Sequence, residues 1–157
     1  MKLAGFDMGR NYVAWAVVRG SFTAGFSLYR HGLIYDQPIG DTLNFGGSLN
    51  AWRGFLDVFK ALDLKPTACA AERFVYRPGS QGQSAEEINL RLSAMKDENT
   101  FLVRNTDWKS WFKRSVNKNG SLAHFRTPTE HEADAAGIAL YLGSVVLPKA
   151  GRISTPT

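Results

Sequence analysis

Short apolar runs separated by turn residues open the chain. They cover Lys2–Phe6, Tyr12–Val18 and Phe22–Tyr35. Because these runs are rich in β-branched and aromatic residues and are bounded by glycine-containing turns, they predict three strands of an antiparallel meander. A segment with several glycines and a proline follows, and it predicts a loop.

A helical period replaces this pattern at Ser48. Apolar residues recur at positions 49, 52, 55, 56 and 59, a spacing that predicts an amphipathic helix ending near Leu62. The next run, Thr67–Tyr76, is apolar throughout except for Glu72 and Arg73. Its length and its position after a helix predict a buried central strand.

Two capping boxes mark helix starts in the second half of the chain. Ser84 and Glu87 follow a loop at 77–83 and predict one helix. Thr129 and Glu132 predict another, which runs to about residue 146. The capping boxes therefore place one helix before and one helix after the last predicted strand, Thr100–Val103.

A short strand and one further helix complete the pattern. Thr100–Val103 predicts the strand, and Thr106 or Asp107 is expected to cap the helix, which ends at 117–120. The order β-β-β-α-β-α-β-α-α predicts an α/β fold with a mixed five-stranded sheet, an antiparallel meander followed by parallel strands, covered by helices on both faces. We expect one domain over 1–147 and a flexible tail over 148–157.

Composition restricts the class of protein. The chain has 157 residues, 44% of them hydrophobic, which fits one globular domain and excludes a disordered chain. A single cysteine, Cys69, excludes a disulfide scaffold and a four-cysteine zinc site. No apolar run approaches the roughly 18 residues of a membrane span, and Asp7 and Arg10 interrupt the N-terminal run, so no signal peptide is expected. These features predict a soluble cytoplasmic protein with no membrane partner.

The charge of the chain favours a polyanionic partner. The formal net charge is +5, and six bases face one acid between residues 104 and 126. Aromatic residues are interleaved among these bases. Such a segment is expected to contact phosphates, with binding that weakens steeply with salt. The alternative is a solvated helix face above an aromatic core contact. The expected DNA-binding bases are Arg104, Lys109, Lys113, Arg114 and Lys118.

The loop that follows the central strand is a second candidate DNA contact. Phe74 and Tyr76 flank its start, and Arg77 opens the loop itself. An aromatic side chain here could stack on an unpaired base. The alternative for Phe74 is a core position, which favours Tyr76 as the stacking residue.

Three acids stand where strand or helix patterns favour apolar residues. Asp7 closes the first strand, Glu72 interrupts the most apolar strand, and Asp134 lies in the small-residue run of the last helix. A buried carboxylate costs several kcal/mol unless it is paired or bound to a metal. Oxygen ligands without thiolates favour Mg²⁺ or Mn²⁺ over zinc. For Asp7 the alternative is a turn-forming aspartate, and for Glu72 it is a salt bridge.

The last helix adds two possible neighbours of Asp134. His131 is three residues before it and Glu130 is four, so either can share its helix face. Both residues also suit an exposed helix start. Whether Glu130 or Glu132 assists metal binding is left open by the sequence.

The ordered set of motifs resembles the RuvC-type Holliday junction resolvases of the RNase H-like nuclease superfamily. The matching segments are Gly5-Phe6-Asp7-Met8-Gly9, Ala71-Glu72-Arg73 and the stretch from His131 to Ala139. This resemblance implies an RNase H-like fold and a structure-selective DNA endonuclease that resolves branched junctions by paired cuts. Products with 5′-phosphate and 3′-hydroxyl ends are implied, as is a homodimer, because a four-way junction is two-fold symmetric.

The same resemblance implies the catalytic residues. By position, Asp7, Glu72, His131 and Asp134 correspond to the metal ligands, with two Mg²⁺ ions per active site and Mn²⁺ as a substitute. Lys109, in a Trp-Lys pair, corresponds to a lysine near the scissile backbone. The segment from Lys109 to His131 is shorter than in the bacterial enzymes, as in compact phage or organelle members. A second catalytic lysine is therefore not assigned.

Two other functions use the same residues. A ribonuclease H acting on RNA–DNA hybrids has similar acids in a similar order, and a basic module with a nuclease fold binds branched DNA without cutting it. An actin-like ATPase, which also begins with an Asp-x-Gly strand, is excluded because this chain lacks room for the second domain that encloses a nucleotide. No nucleotide cofactor is therefore expected.

Overall fold

A mixed five-stranded sheet lies at the centre of the protein. The computed structural model describes residues 1–8, 12–35, 63–72 and 99–151. The antiparallel pairs are β1 with β2 and β2 with β3, whereas β4 pairs in parallel with both β1 and β5. The sheet order is β3-β2-β1-β4-β5, which confirms the predicted meander followed by parallel strands. The strands are β1 (Lys2–Met8), β2 (Tyr12–Ser21), β3 (Gly25–Tyr35), β4 (Ala68–Glu72) and β5 (Thr100–Val103).

Several strand boundaries differ from the prediction, and β2 runs to Ser21 rather than Val18, because residues 19–21 pair with β3. β1 continues to Met8, because Asp7 and Met8 pair with Ala14 and Val13 of β2. The third strand begins at residue 25 rather than 22, because residues 22–24 form the turn between β2 and β3. In that turn the Ser21 hydroxyl accepts a hydrogen bond from the amide of residue 24 at 3.0 Å. Asp7 therefore lies inside the strand ladder, not after it.

The described helices follow β5. They are α1 (Asn105–Ser115), a 3₁₀ turn (Leu122–Phe125) and α2 (Glu130–Tyr141). After α2 the helical backbone continues with π-type spacing over Leu142–Val146. A last α-helical turn follows over Leu147–Lys149. The helices predicted at 48–62 and from residue 84 lie outside the described residues, as does the strand extension at 73–76.

The starts of the two long helices are built differently. Residue 129 caps α2 as predicted: the Thr129 hydroxyl accepts from the amide of Glu132 at 3.2 Å and donates to the Glu132 carboxylate at 2.7 Å. The predicted cap of α1 at Thr106 or Asp107 is wrong. The carbonyl of Arg104 already accepts from the amides of residues 107 and 108, so α1 begins at Asn105 and has no side-chain cap.

Small residues let α2 lie directly on the sheet. A Cβ atom on Gly5 of β1 would stand 2.1 Å from the carbonyl oxygen of Ala135 and 2.6 Å from the amide nitrogen of Ala139. Helix backbone and strand backbone therefore meet without an intervening side chain. Helix α1 packs beside α2 and buries Trp108 and Phe112 in the same core cluster. This close packing places the first turns of α2 next to the end of β1 that carries Asp7.

The described helices cover one face of the sheet. On the other face Phe6, Trp15 and Leu64 belong to a second apolar cluster. Among the described helices, none has the length and hydropathy that a bilayer crossing needs. Helical backbone reaches Lys149, and the predicted tail beyond 151 lies outside the described part of the chain.

Candidate metal centre

Three potential metal ligands meet at the end of β1. Asp7 projects from β1 toward α2, and His131 and Asp134 come from the first turns of α2. A ligand atom from each of the three lies within 4.8 Å of the other two. Oδ2 of Asp7 and Nδ1 of His131 are hydrogen-bonded at 2.9 Å. We call Asp7, His131 and Asp134 the acidic cluster.

Local structure fixes this arrangement. Residues three apart on a helix share a face, so His131 and Asp134 point the same way. The ring of Tyr12, the first residue of β2, lies against the ring of His131 with 4.1 Å between centroids. The carboxylate of Glu132 is 5% exposed and turns away from the cluster to the Nδ1 of His31 on β3, at 2.8 Å. Glu132 therefore anchors the start of α2 instead of joining the candidate ligands.

The electrostatics of the cluster favour a bound cation. Burial raises the pKa of the Asp7 carboxyl above its ordinary value of 3.8, although the hydrogen bond from His131 opposes the rise. Burial, together with the negative charge of Asp7, raises the pKa of Asp134 to about 6. Two carboxylates that resist ionisation side by side would be stabilised in their charged forms by a divalent ion.

Glu72, the fourth predicted ligand, lies beside the acidic cluster. Its negative charge raises the pKa of both Asp7 and Asp134. Its Oε1 accepts two hydrogen bonds from α1, at 2.6 Å from Nδ2 of Asn105 and at 2.8 Å from Nε1 of Trp108. Among the described side chains its polar partners are thus an amide and an indole, not the base that the salt-bridge alternative required.

Helix α1 also carries the predicted basic residues. Lys109 lies beside Trp108, with 5.5 Å between its Nζ and the centroid of the Trp108 ring. Its positive charge opposes the rise that burial causes in the pKa of Asp7 and of Asp134. Trp108 and Phe112 are buried, as the core alternative for the aromatic residues required. Phe74, Tyr76 and Arg77 lie outside the described residues. The predicted bases are all exposed: Arg104, Lys109, Lys113, Arg114 and Lys118.

Sequence reasoning missed the partners that hold the candidate ligands. Asn105 and Trp108 contact Glu72, Tyr12 contacts His131, and His31 contacts Glu132. The order of elements in the sequence could have indicated the contacts of Asn105 and Trp108 with Glu72. Helix α1 directly follows β5, and β5 lies parallel to β4, the strand that carries Glu72. No comparable signal in the sequence points to His31 or Tyr12.

Comparison with known proteins defines the class of fold. No family model and no curated protein matches the sequence. Among solved structures, RuvC of Thermus thermophilus in complex with a Holliday junction substrate is similar, with a TM-score of 0.69 and 16% identity over 97% of this chain and 98% of that one. The described residues therefore have a RuvC-like fold.

Two further structures share this fold. The fowlpox virus resolvase in complex with substrate Holliday junction DNA has a TM-score of 0.53 and 12% identity, over 94% of this chain and 99% of that one. The yeast mitochondrial Holliday junction resolvase Ydc2 has a TM-score of 0.55 and 12% identity, over 96% and 82%. The compact phage or organelle character expected from the sequence stays a prediction.

Proposed function

We propose that this protein is a metal-dependent endonuclease that resolves four-way or other branched DNA junctions. The observation that carries the proposal is the meeting of Asp7, His131 and Asp134 within 4.8 Å at the end of β1. Support comes from the fold, because similar structures include resolvases in complex with Holliday junction DNA. The activity belongs in the cytoplasm, in recombination and repair of DNA.

The residues present fit a hard divalent ion. The cluster offers two carboxylates and one imidazole, and burial together with the charge of Asp7 raises the pKa of Asp134 to about 6. Asp7, His131, Asp134 and Glu72 would hold Mg²⁺, two ions per site, with Mn²⁺ as a substitute. When bound, such ions supply activation of water and stabilisation of the leaving oxygen, which gives 5′-phosphate and 3′-hydroxyl ends.

The chain's own side chains bind and orient the DNA. Lys109 is an exposed cation close to the cluster, so it is placed to bind the scissile phosphate. Arg104, Lys113, Arg114 and Lys118 bind the duplex arms through phosphates. Beyond Glu72 in the sequence, Tyr76 or Phe74 would stack on an unpaired base and Arg77 would contact the DNA backbone. Two such sites in a C2 homodimer make the paired cuts that a symmetric junction requires.

A cleavage assay on matched substrates tests this function. The purified protein is incubated with a synthetic four-way junction, a linear duplex and an RNA–DNA hybrid, in Mg²⁺ and in chelator. The junction is expected to be cut in Mg²⁺ alone, because the acidic cluster needs the ion. Asp7→Asn should lower the rate about a thousandfold, equivalent to several kcal/mol of transition-state stabilisation, and should keep junction binding.

Asp63→Asn is the matched control. Asp63 is exposed and pairs only with Lys65 at 3.2 Å among the described residues, so its substitution should leave cleavage unchanged. Full activity of Asp7→Asn, or cleavage in chelator, would refute the metal-dependent nuclease. Faster cutting of the hybrid would assign the ribonuclease H alternative, and junction binding without cutting would assign the non-catalytic module.

A further inference from the structure

Two donors on one helix converge on a single oxygen of Glu72. Asn105 and Trp108 are three residues apart on α1, and both donate to Oε1, at 2.6 Å and 2.8 Å. No hydrogen bond to Oε2 is present among the described residues. Glu72 is the last described residue of β4, and its carboxylate would otherwise rotate about its own side-chain bonds. The two bonds fix which oxygen faces α1.

Trp108 is the rigid member of this pair. Its side chain is 0% exposed, and its indole N–H, which can only donate, is its single polar atom. The ring fills a space left by the absence of a side chain on α2, because a Cβ on Gly137 would lie 2.4 Å from Cζ3 of Trp108. Trp108 is thereby locked against the same helix that carries His131 and Asp134.

We infer that Trp108, assisted by Asn105, is a positioning residue that orients the Glu72 carboxylate toward a divalent ion. Holding Oε1 leaves Oε2 as the oxygen available to the ion. The packing of Trp108 on Gly137 sets Glu72 at a fixed place relative to the ligands of α2. Side chains that hold metal ligands by hydrogen bonds typically change metal affinity by about 10–100-fold when they are substituted. This inference rests on the proposed metal-dependent function.

The test measures metal binding instead of cleavage. Trp108→Phe keeps most of the buried ring and removes the N–H. Calorimetric titration with Mn²⁺ should show about a tenfold loss of affinity, while circular dichroism shows a folded protein. Trp111→Phe is the matched control, because Trp111 lies on the same helix and packs against Tyr141, at 5.6 Å between ring centroids. Its affinity for Mn²⁺ should equal that of the unmodified protein.

A double-mutant cycle separates positioning from a general packing role. If Trp108 acts through Glu72, Trp108→Phe should cause no further loss of Mn²⁺ affinity in a Glu72→Ala background. An equal loss in both backgrounds would overturn the inference, as would unchanged affinity of Trp108→Phe. Asn105→Ala removes the other donor at an exposed position, so it provides the same test if Trp108→Phe does not fold.

The outcomes distinguish this inference from the proposed function. If the unmodified protein binds no Mn²⁺ and cuts no junction, the proposed function fails and the role of Trp108 falls with it. If the unmodified protein binds Mn²⁺ and cuts junctions, and Trp108→Phe and Asn105→Ala bind Mn²⁺ equally well, only the positioning role is overturned.

Discussion

The half-buried carboxyl of Asp134 gives the protein a stability that depends on pH. Its pKa is raised from 3.8 to about 6 by burial first and by the charge of Asp7 second. Between these values the folded protein holds the proton more tightly than the unfolded chain does. The free energy of unfolding therefore falls as the pH rises from about 4 through about 6, and it stays lowered above that range.

The magnitude follows from the two pKa values. At roughly 1.4 kcal/mol per pH unit, the difference between 3.8 and about 6 sets an upper limit of about 3 kcal/mol. Asp134 is only half-buried, and solvent screens part of the interaction, so we expect a loss of about 1–2 kcal/mol. Asp134→Asn removes the titrating group and keeps the shape of the side chain. The variant should be more stable than the unmodified protein by this amount near pH 7.

Urea unfolding in chelator measures the effect. Both proteins are compared at about pH 4, 5, 6 and 7, and the difference between them isolates residue 134 from the other titrating groups. Added Mg²⁺ should stabilise the unmodified protein more than Asp134→Asn, because the ion binds the charged carboxylate. Parallel pH profiles for the two proteins, or a variant that is less stable near pH 7, would refute the electrostatic reasoning. Asp63→Asn, at an exposed aspartate, should reproduce the unmodified profile.

Three other substitutions test separate contacts. Gly5→Ala should lower the free energy of unfolding by about 3 kcal/mol in urea titrations, because its Cβ would lie 2.1 Å from the carbonyl oxygen of Ala135. An unchanged unfolding midpoint would contradict the close packing of α2 on β1. Glu132→Ala should lower the free energy of unfolding by about 2–3 kcal/mol in the same titrations, because it removes the carboxylate that pairs with His31 and accepts from the Thr129 hydroxyl. A loss below about 0.5 kcal/mol would show that these two contacts are dispensable. Lys109→Gln should slow junction cleavage about tenfold or more. It should also reduce the slope of log binding constant against log salt concentration by about 1, the value for one phosphate contact, and an unchanged slope would exclude that contact.

Local patterns in the sequence predicted much of the fold. The strands, the helix of residues 130–141 and its Thr129–Glu132 cap follow from residue periods and from capping chemistry, which act over a few neighbouring residues. The start of α1, which has no side-chain cap, was not predictable in this way. In its first turn the backbone amides donate to the carbonyl of Arg104. The side chain of Asn105 donates to Glu72 and does not cap the helix.

The sequence by itself singled out Asp7, Glu72 and Asp134, because each is an acid in an element that otherwise favours apolar or small residues, and it added His131 through its spacing from Asp134. Only the tertiary structure decided how they are held. Trp108 meets Glu72 across 36 residues and His31 meets Glu132 across 101. Such contacts depend on the distance and angle between separate elements, which the packing of Gly5 on Ala135 and of Trp108 on Gly137 sets. No periodicity within one element carries that information.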